Sequence, residues 1–438
     1  MSKSLSIFLV FCFPVFLFAQ EILILKGKVT DAAMQQPLPF AQIALSGSTL
    51  GTVSNDEGFF RLTMPLLRRS ASRNNNDTGF QDSLIISFLG YQTQRIPVIA
   101  FDTGILQLFL VPVSLDLREV EIVALTPGEV LRRAFDSIPV NYGSDPVILT
   151  AFIRSQKTVN NKLAEYTEAI VENLKDGYYS YKPGETDTKH RVSNIPYLFK
   201  GRVTSDTNLV KLLGDVGASA RCLGCNFVYD IAEFPYGTLL DEKDRKHYLL
   251  KMEELINPEG GKIYRIRFDQ DDRTNLMLYQ GEILIDSRDF AILRITYKPS
   301  FKAYEAYEKS KYSRTWYLNN QPGWIQEMPL GETTITYSKR GEYWSLSTIR
   351  NQYWVTYIQP QKNQRISYGY KNEVVVTDLA RDPEHIRTFQ GDKSIGVKQR
   401  WDEVVGETDE SFWENFNYIP IEEKLREELD KRTSGQAD

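Results

Sequence analysis

Cys222 and Cys225, in Arg221-Cys222-Leu223-Gly224-Cys225, stand at the spacing where two thiols pair, hold a metal or run redox chemistry. An oxidising compartment favours a local disulfide that pins a loop, and a free or metal-binding pair is the alternative. A thioredoxin-like centre would need a helix start after a strand, and the Gly- and Asn-bearing surroundings do not supply one. The chain owns only three histidines, His190, His247 and His385. None falls in an H-E-x-x-H or similar grouping, so a zinc hydrolase has no ligand set, and each is read as a surface residue. Gly-x-Ser-x-Gly does not occur, and Ser46-Gly47-Ser48 reads as a hairpin turn rather than a nucleophile elbow. Acids that meet in space escape any motif. Asp269, Asp271 and Asp272, and again Asp286 and Asp289, cluster at strand ends, where such groups are ordinarily solvated turns. Asn55, Asp56 and Glu57 offer three oxygen side chains where calcium wants about six to eight ligands, so a turn is expected there too. No catalytic, cofactor-binding or metal residue is assigned, no cofactor is expected, and the chain is read as a non-enzyme.

The elements around these residues are mostly strands. Tyr and Phe number 24 and 23, which suits the half-buried face of a sheet. Up to about Ala124 short β-type runs alternate with Gly, Pro, Asn and Asp: Ile22–Val29, Phe40–Leu45, Gly58–Met64, Ser83–Phe88, Tyr91–Pro97, Gly104–Val111 and Glu119–Val123. Seven short strands so spaced predict a β-sandwich. The polar insertion Arg68–Asp77 buries too little to order itself and reads as a mobile hairpin loop. Thr126-Pro127-Gly128-Glu129 has the form of a capping box, and Leu131, Ala134, Phe135 and Ile138 follow at helical spacing until Pro139 and Gly143.

Longer strands follow in hairpins. Ile263–Phe268 puts Tyr264, Ile266 and Phe268 opposite Arg265 and Arg267, and Phe290–Tyr297 puts Ala291, Leu293, Ile295 and Tyr297 opposite Arg294 and Thr296. Such alternation predicts an antiparallel sheet with one solvated face. Further strands are expected at Leu149–Thr158, Leu163–Lys175, Gly281–Ile285, Glu332–Ser338, Tyr343–Tyr357 and Arg365–Thr377, with Leu209–Ala218 covering the inner face of a half-barrel. Pro420 is expected to open a charged helix with Ile421, Leu425 and Leu429 on one stripe.

Export is the expected fate. Lys3 precedes an apolar run from Leu5 to Phe18, interrupted by Pro14, which reads as a signal peptide cleaved after Ala19. Lipid attachment at Cys12 is not expected, because Leu9, Val10 and Phe11 precede it. No later segment offers about 18 uninterrupted apolar residues, so no membrane-spanning helix is expected after cleavage. Removal of Lys3 takes the formal charge from −5 to −6, and Lys and Arg form no stripe, which argues against nucleic acid as a partner.

Gly27-Lys28-Val29-Thr30-Asp31, Pro37-Leu38-Pro39-Phe40-Ala41-Gln42-Ile43, Gly51-Thr52-Val53-Ser54-Asn55-Asp56-Glu57-Gly58-Phe59-Phe60 and Ser87-Phe88-Leu89-Gly90-Tyr91 resemble the carboxypeptidase-like regulatory domain, a transthyretin-like sandwich. The resemblance implies a Gram-negative envelope protein. The same module often precedes TonB-dependent transporters, whose length and plug signature this chain lacks. Tyr166-Thr167-Glu168-Ala169 and Gly281-Glu282-Ile283-Leu284-Ile285-Asp286 resemble pieces of envelope proteins that carry the module without a barrel.

The expected architecture is therefore mainly β, with residues 1–19 a signal peptide, 20–124 a seven-stranded sandwich, 125–145 a linker helix, 146–410 a larger antiparallel sheet or half-barrel, and 411–438 a C-terminal helix and tail. The leading functional expectation is a non-enzymatic accessory protein in the periplasm or at the outer membrane, binding an envelope protein, glycan or lipid. A periplasmic carrier or chaperone for an apolar ligand or lipoprotein, and an unrecognised hydrolase, are the alternatives.

Overall fold

The computed structural model describes residues 22–65, 83–98, 104–113, 125–178, 197–215, 227, 229–233, 235, 238–256, 260–274, 276–302, 324–327, 329–389, 405, 413–414 and 416–433. The insertion at Arg68–Asp77, the expected strand at Glu119–Val123, the signal segment, His190 and the Cys222/Cys225 pair lie outside them.

Seven strands build the N-terminal unit: β1 (Ile22–Asp31), β2 (Gln42–Leu45), β3 (Gly51–Val53), β4 (Phe59–Pro65), β5 (Ser83–Ser87), β6 (Gln94–Pro97) and β7 (Ile105–Leu110). One sheet runs β4-β1-β7 and the other β3-β2-β5-β6. The expected sandwich is thus observed. Val29, Phe60, Leu62 and Leu108 of the first sheet meet Ile43, Leu84 and Ile86 of the second. Strand β3 was not foreseen, because all three of its residues are buried and it carries no alternation. The Asn55–Gly58 turn is as expected: Gly58 has φ +83°, and a Cβ there would lie 2.5 Å from the Val29 carbonyl oxygen.

The capping box forms, with Glu129 N donating to Thr126 Oγ1 at 3.2 Å and Thr126 N donating to the Glu129 carboxylate at 2.7 Å. The helical segment divides into α1 (Pro127–Asp136) and α2 (Ile138–Tyr142). Pro139, which lacks the N–H needed to extend α1, occupies the first turn of α2 instead.

The second unit is one open antiparallel sheet of 11 strands. Its strands are β8 (Val147–Val159), β9 (Lys162–Lys175), β10 (Tyr197–Ser205), β11 (Tyr248–Ile256), β12 (Lys262–Gln270), β13 (Tyr279–Asp286), β14 (Ile292–Pro299), β15 (Ile325–Gln326), β16 (Leu330–Arg340), β17 (Tyr343–Gln359) and β18 (Gln364–Ala380). They run in the order β10-β9-β8-β18-β17-β16-β14-β13-β12-β11, with β15 paired to β17. No closed barrel forms among the described residues. Four further helices are α3 (Thr207–Asp215), α4 (Glu242–Arg245), α5 (Pro383–Thr388) and α6 (Glu423–Thr433). Leu209 and Leu212 of α3 pack on Val159, Ala164 and Tyr368, so this helix covers part of the sheet as expected. Helix α6 starts three residues after Pro420, which instead belongs to an extended segment discussed below.

One face of the sheet makes the main core. Ile153, Val374, Ile349, Ile335, Ile295 and Ile283 are direct cross-strand neighbours along one row. Val130, Leu131, Ala134 and Ile138 of α1 and α2 belong to the same buried cluster. On β14 the expected alternation fails. A bulge pairs Ile285 with Ile292 but Leu284 with Arg294, so Ile292, not Leu293, joins Ile295 in the core, and Leu293 packs with Leu284 on the opposite face. Strands β13 and β14 also approach closely: a Cβ on Gly281 would lie 2.0 Å from the Thr296 carbonyl oxygen and 2.8 Å from Tyr297 Cα. Both are backbone atoms, so Gly281→Ala is expected to cost on the order of 1–3 kcal/mol in urea denaturation. An unchanged midpoint would show that the two strands spread freely.

Candidate functional site

The residues singled out for chemistry are occupied by neighbours. Asp271 accepts from Arg273 Nε at 2.9 Å, and that bond, together with the Arg273 backbone N–H, holds its carboxyl well below the ordinary 3.8. Asp272 pairs with Lys302 at 2.9 Å, Asp269 accepts from Ser300 Oγ at 2.7 Å, and Asp286 pairs with Arg288 at 2.8 Å. Asp289 accepts from Trp344 Nε1 at 2.9 Å. His385 is exposed on α5 and His247 is half-buried ahead of β11. Among the described residues no three His, Cys, Asp or Glu side chains group as metal ligands.

The Asn55-Asp56-Glu57 turn faces the second unit. Asn55 Oδ1 accepts from the backbone N–H groups of Glu57 and Phe59, and its amide donates to the Pro420 carbonyl at 3.2 Å. Asp56 takes Arg350 at 2.9 Å and Lys371 at 2.9 Å. Glu57 accepts from Glu423 N at 3.1 Å. Each oxygen side chain that a calcium ion would need has an interdomain bond.

Asp56 meets a ladder of charges on the sheet face opposite the main core. Arg350, Glu373, Arg154, Glu168 and Arg202 are cross-strand neighbours on β17, β18, β8, β9 and β10. Unlike charges directly opposite each other favour this register. Glu168 receives Arg154 at 2.8 Å and Arg202 at 2.6 Å, and Tyr166 OH donates to it at 2.6 Å. Burial alone would raise the Glu168 pKa, but the two guanidinium groups outweigh it and hold the carboxyl below the ordinary 4.5. Arg154 is 1% exposed and Glu168 is fully buried.

The lid over this ladder is an extended strap preceding α6. Arg154 donates to the carbonyls of Ile419 and Pro420. Arg61 of β4 donates to the carbonyls of Phe416 at 2.6 Å and Glu414 at 2.7 Å, while its guanidinium lies 4.7 Å over the Tyr418 ring. Asn417 bridges both backbone polar groups of Thr63. Trp413 and Ile419 are buried with Val53 of the sandwich and with Phe152, Ile170 and Val375 of the sheet. Three separate parts of the chain thus share one apolar cluster capped by ion pairs.

Glu422 ends the strap 3.7 Å from Arg154 and 3.9 Å from Lys371. Burial pushes its carboxyl up from the ordinary 4.5; Arg154 opposes this, Glu373 adds to it and Lys371 opposes it. The folded state therefore holds the proton to higher pH than the unfolded chain, and stability falls as pH rises from 4.5 through the raised value. Glu422→Gln is expected to remove this part of the pH dependence. Urea midpoints of variant and wild type, taken through that window, should converge at its acid end and favour the variant at its alkaline end; parallel curves would refute the assignment.

Beyond the strap, the sandwich and the sheet leave a cleft of about 560 Å³. The sandwich wall carries Phe40, Phe88, Leu89 and Tyr91. Across it the sheet presents Arg265, Arg294 and Arg350 among Leu255, Ile263, Leu284 and Leu293. Arg265 pairs with Glu253, Arg294 with Glu282 at 3.0 Å, and Thr336 with Thr348 at 2.6 Å. Arg294 Nε is buried without a hydrogen-bond partner.

A second charged cluster lies on the core side. Lys175 Nζ is fully buried against Asp230, against Glu233 at 2.6 Å and against Tyr178 OH at 3.1 Å. Tyr337 OH donates to Asp230 at 2.7 Å. Burial works against the Lys175 charge, but the acids outweigh it and raise its pKa well above 10.5, which leaves no free amine for nucleophilic or base chemistry. Above the isoleucine row lies a polar row of Thr167, Ser155, Asn372, Asn351 and Thr333, again direct neighbours. Asn351 donates to Thr333 at 2.8 Å, while neither amide atom of Asn372 has a partner.

The sequence missed both clusters. The alternation of Arg154 and Glu168 with apolar residues on β8 and β9 was a signal, yet nothing local marks which strand faces which.

With this geometry established, residues 25–122 match the CarboxypepD_reg-like domain, so the chain carries that domain ahead of a large open antiparallel sheet. Among solved structures the chain is similar to a DUF1329 family protein from Desulfovibrio piger, at 11% identity over 58% of this chain and 92% of that one, with a TM-score of 0.22. It is also similar to a putative membrane-associated protein of unknown function from Bacteroides fragilis, at 11% identity over 81% of this chain and 97% of that one, with a TM-score of 0.14. Likenesses at those scores carry no functional argument. No curated protein matches the chain. No helix among the described residues is long and apolar enough to cross a membrane.

Proposed function

We propose that the protein is a non-enzymatic, exported cell-envelope protein with a binding or structural accessory role at the outer membrane, and that the junction cleft receives its partner. The signal-like N-terminus and the CarboxypepD_reg-like domain support the compartment. The observation that carries the binding role is the cleft itself, about 560 Å³ between an aromatic wall and an arginine-bearing wall, on two units joined by the ion pairs of Asp56 with Arg350 and Lys371. Clefts of this size and mixed lining suit ligands or single protein segments. The non-enzymatic reading is supported by the aspartate clusters, whose members are engaged by cations, hydroxyls or an indole N–H. The carrier alternative needs an apolar chamber against the core face, where the polar Asn372 and Asn351 row stands instead.

Fractionation with photo-crosslinking tests this. A crosslinker at Leu89, in the cleft, is expected to trap a discrete partner in the envelope fraction, and one at Lys362, on the β17–β18 turn, is not. A cytoplasmic protein retaining its first nineteen residues, or equal trapping from both positions, would overturn the reading.

A further inference from the structure

We infer that the cleft binds an extended, acidic, aromatic-bearing polypeptide segment of a partner, in the manner in which the chain holds its own strap. This rests on the accessory reading above and names the chemistry of the partner.

The strap shows what this face recognises. Its sequence from Trp413 to Glu422 carries acids and aromatic rings and no basic residue, and Asn417–Glu422 belong to no helix or strand. Guanidinium groups grip its main chain: Arg154 takes the Ile419 and Pro420 carbonyls, and Arg61 those of Glu414 and Phe416. Cations also stack on its rings, with Arg202 4.8 Å over Trp413 and Arg61 4.7 Å over Tyr418.

The cleft continues that surface with the same parts. Arg350 and Phe40 belong to both: Arg350 binds Asp56 and lines the cleft, and its guanidinium lies 4.7 Å over Phe40, which packs on the strap cluster. Next to them stand Arg265 and Arg294, direct cross-strand neighbours of Leu284. The lining holds four arginines, Arg265, Arg288, Arg294 and Arg350, which pair with Glu253, Asp286, Glu282 and Asp56 and keep further N–H donors beside those pairs. Arginine's planar fork matches carbonyl and carboxylate oxygens. The buried Nε of Arg294 is a donor already turned from water and without an acceptor among the described residues. Leu255, Ile263, Leu284 and Leu293 form one apolar cluster beside these arginines and supply contact for rings.

The probe is a labelled synthetic peptide, Ser411–Glu423 of this chain, added to the full-length protein. Anisotropy is expected to show saturable binding that weakens with added salt. Arg294→Glu combined with Arg265→Glu is expected to weaken it about tenfold or more, and Arg61→Ala to leave it unchanged. Arg294→Ala, checked by its melting curve against wild type, serves where the charge reversal fails to fold. No binding overturns the inference. Binding lost with Arg61→Ala but kept with Arg294→Ala means exchange with the strap and overturns it too, as does a neutral glycan or lipid vesicle that displaces the peptide at equal or lower concentration. A protein found outside the envelope that still binds the peptide would remove the accessory reading alone; an envelope protein that does not bind it would remove this inference alone.

Discussion

Lys175→Met is expected to lower stability by on the order of 3–5 kcal/mol, because it removes the cation that faces one fully buried and one largely buried acid. Asp230 is fully buried and Glu233 nearly so, and both point at the Lys175 ammonium. Asp230 keeps its bonds from Tyr178 and Tyr337, which stabilise a carboxylate but do not cancel its charge. The damage should spread, because this cluster fastens Phe227 and Ile231 onto the core face, where both belong to the main buried cluster. Urea denaturation of the single variant, and of Lys175→Met combined with Asp230→Asn and Glu233→Gln, separates charge from shape. The triple variant is expected to recover most of the loss, since neutral groups of similar volume cost less to bury than unpaired ions. A single variant as stable as wild type would mean that the lysine is not the counter-ion the geometry makes it.

Such a cluster is invisible to a reading of local pattern, and the reason is distance along the chain. Lys175 ends a strand while Asp230 lies 55 residues on, and the segment between them carries no alternation that would aim one at the other. Strand β12 was legible because a single short run contains its own evidence: Ile266 and Phe268 are buried and Arg267 is exposed, as a period of two demands. Strand β14 was legible as a strand, with Ile295 and Tyr297 on the core side as expected, but the bulge at Leu293 gives the preceding core position to Ile292, and only the pairing with β13 reveals it. Strand β11 escaped notice because Lys251, Glu253 and Glu254 blur its alternation at the sheet's end. The regulatory-like domain was legible for the opposite reason, as its turns at Gly58 and Gly90 need backbone conformations that few residues tolerate, and the sequence displays them openly.

The strap illustrates a third case, in which the residues were noticed and their task was not. The tail around Trp413, Phe416 and Tyr418 is aromatic, and Pro420 was expected to open a solvent-facing helix. The structure assigns them to a dock whose other members, Arg61, Arg154 and Val53, come from three different strands. A surface assembled this way makes the sandwich and the sheet interdependent, and it gives the cleft two fixed walls rather than two that drift.

Arg154→Ala tests that interdependence with a second large effect, again on the order of 3–5 kcal/mol. Arg154 touches the strap's carbonyls and its terminal acid while sitting between Glu168 and Glu373. Burial works against the Arg154 charge, but the surrounding tyrosine and acids outweigh it and raise its pKa, so the variant removes a fixed cation from between Glu168, which keeps Arg202, and Glu373, which keeps Lys371 at 3.0 Å. Glu168, held below 4.5 in the wild type, contributes stability present above that value and lost as pH falls through its folded pKa. In the variant Arg202 alone remains to hold it down, so that acid-side loss should begin at higher pH. Two measurements follow: denaturation midpoints across the acid range, and the rate at which a protease cuts between Trp413 and Glu422. Both unfolding and cutting are expected to rise together, because the strap cannot lift without exposing Glu168. Faster cutting at an unchanged midpoint would instead mean that the strap is an ornament on two independently stable units, and that the cleft's walls are held by the direct bonds of Asp56 with Arg350 and Lys371 and of Thr49 with Asp378 and Arg340.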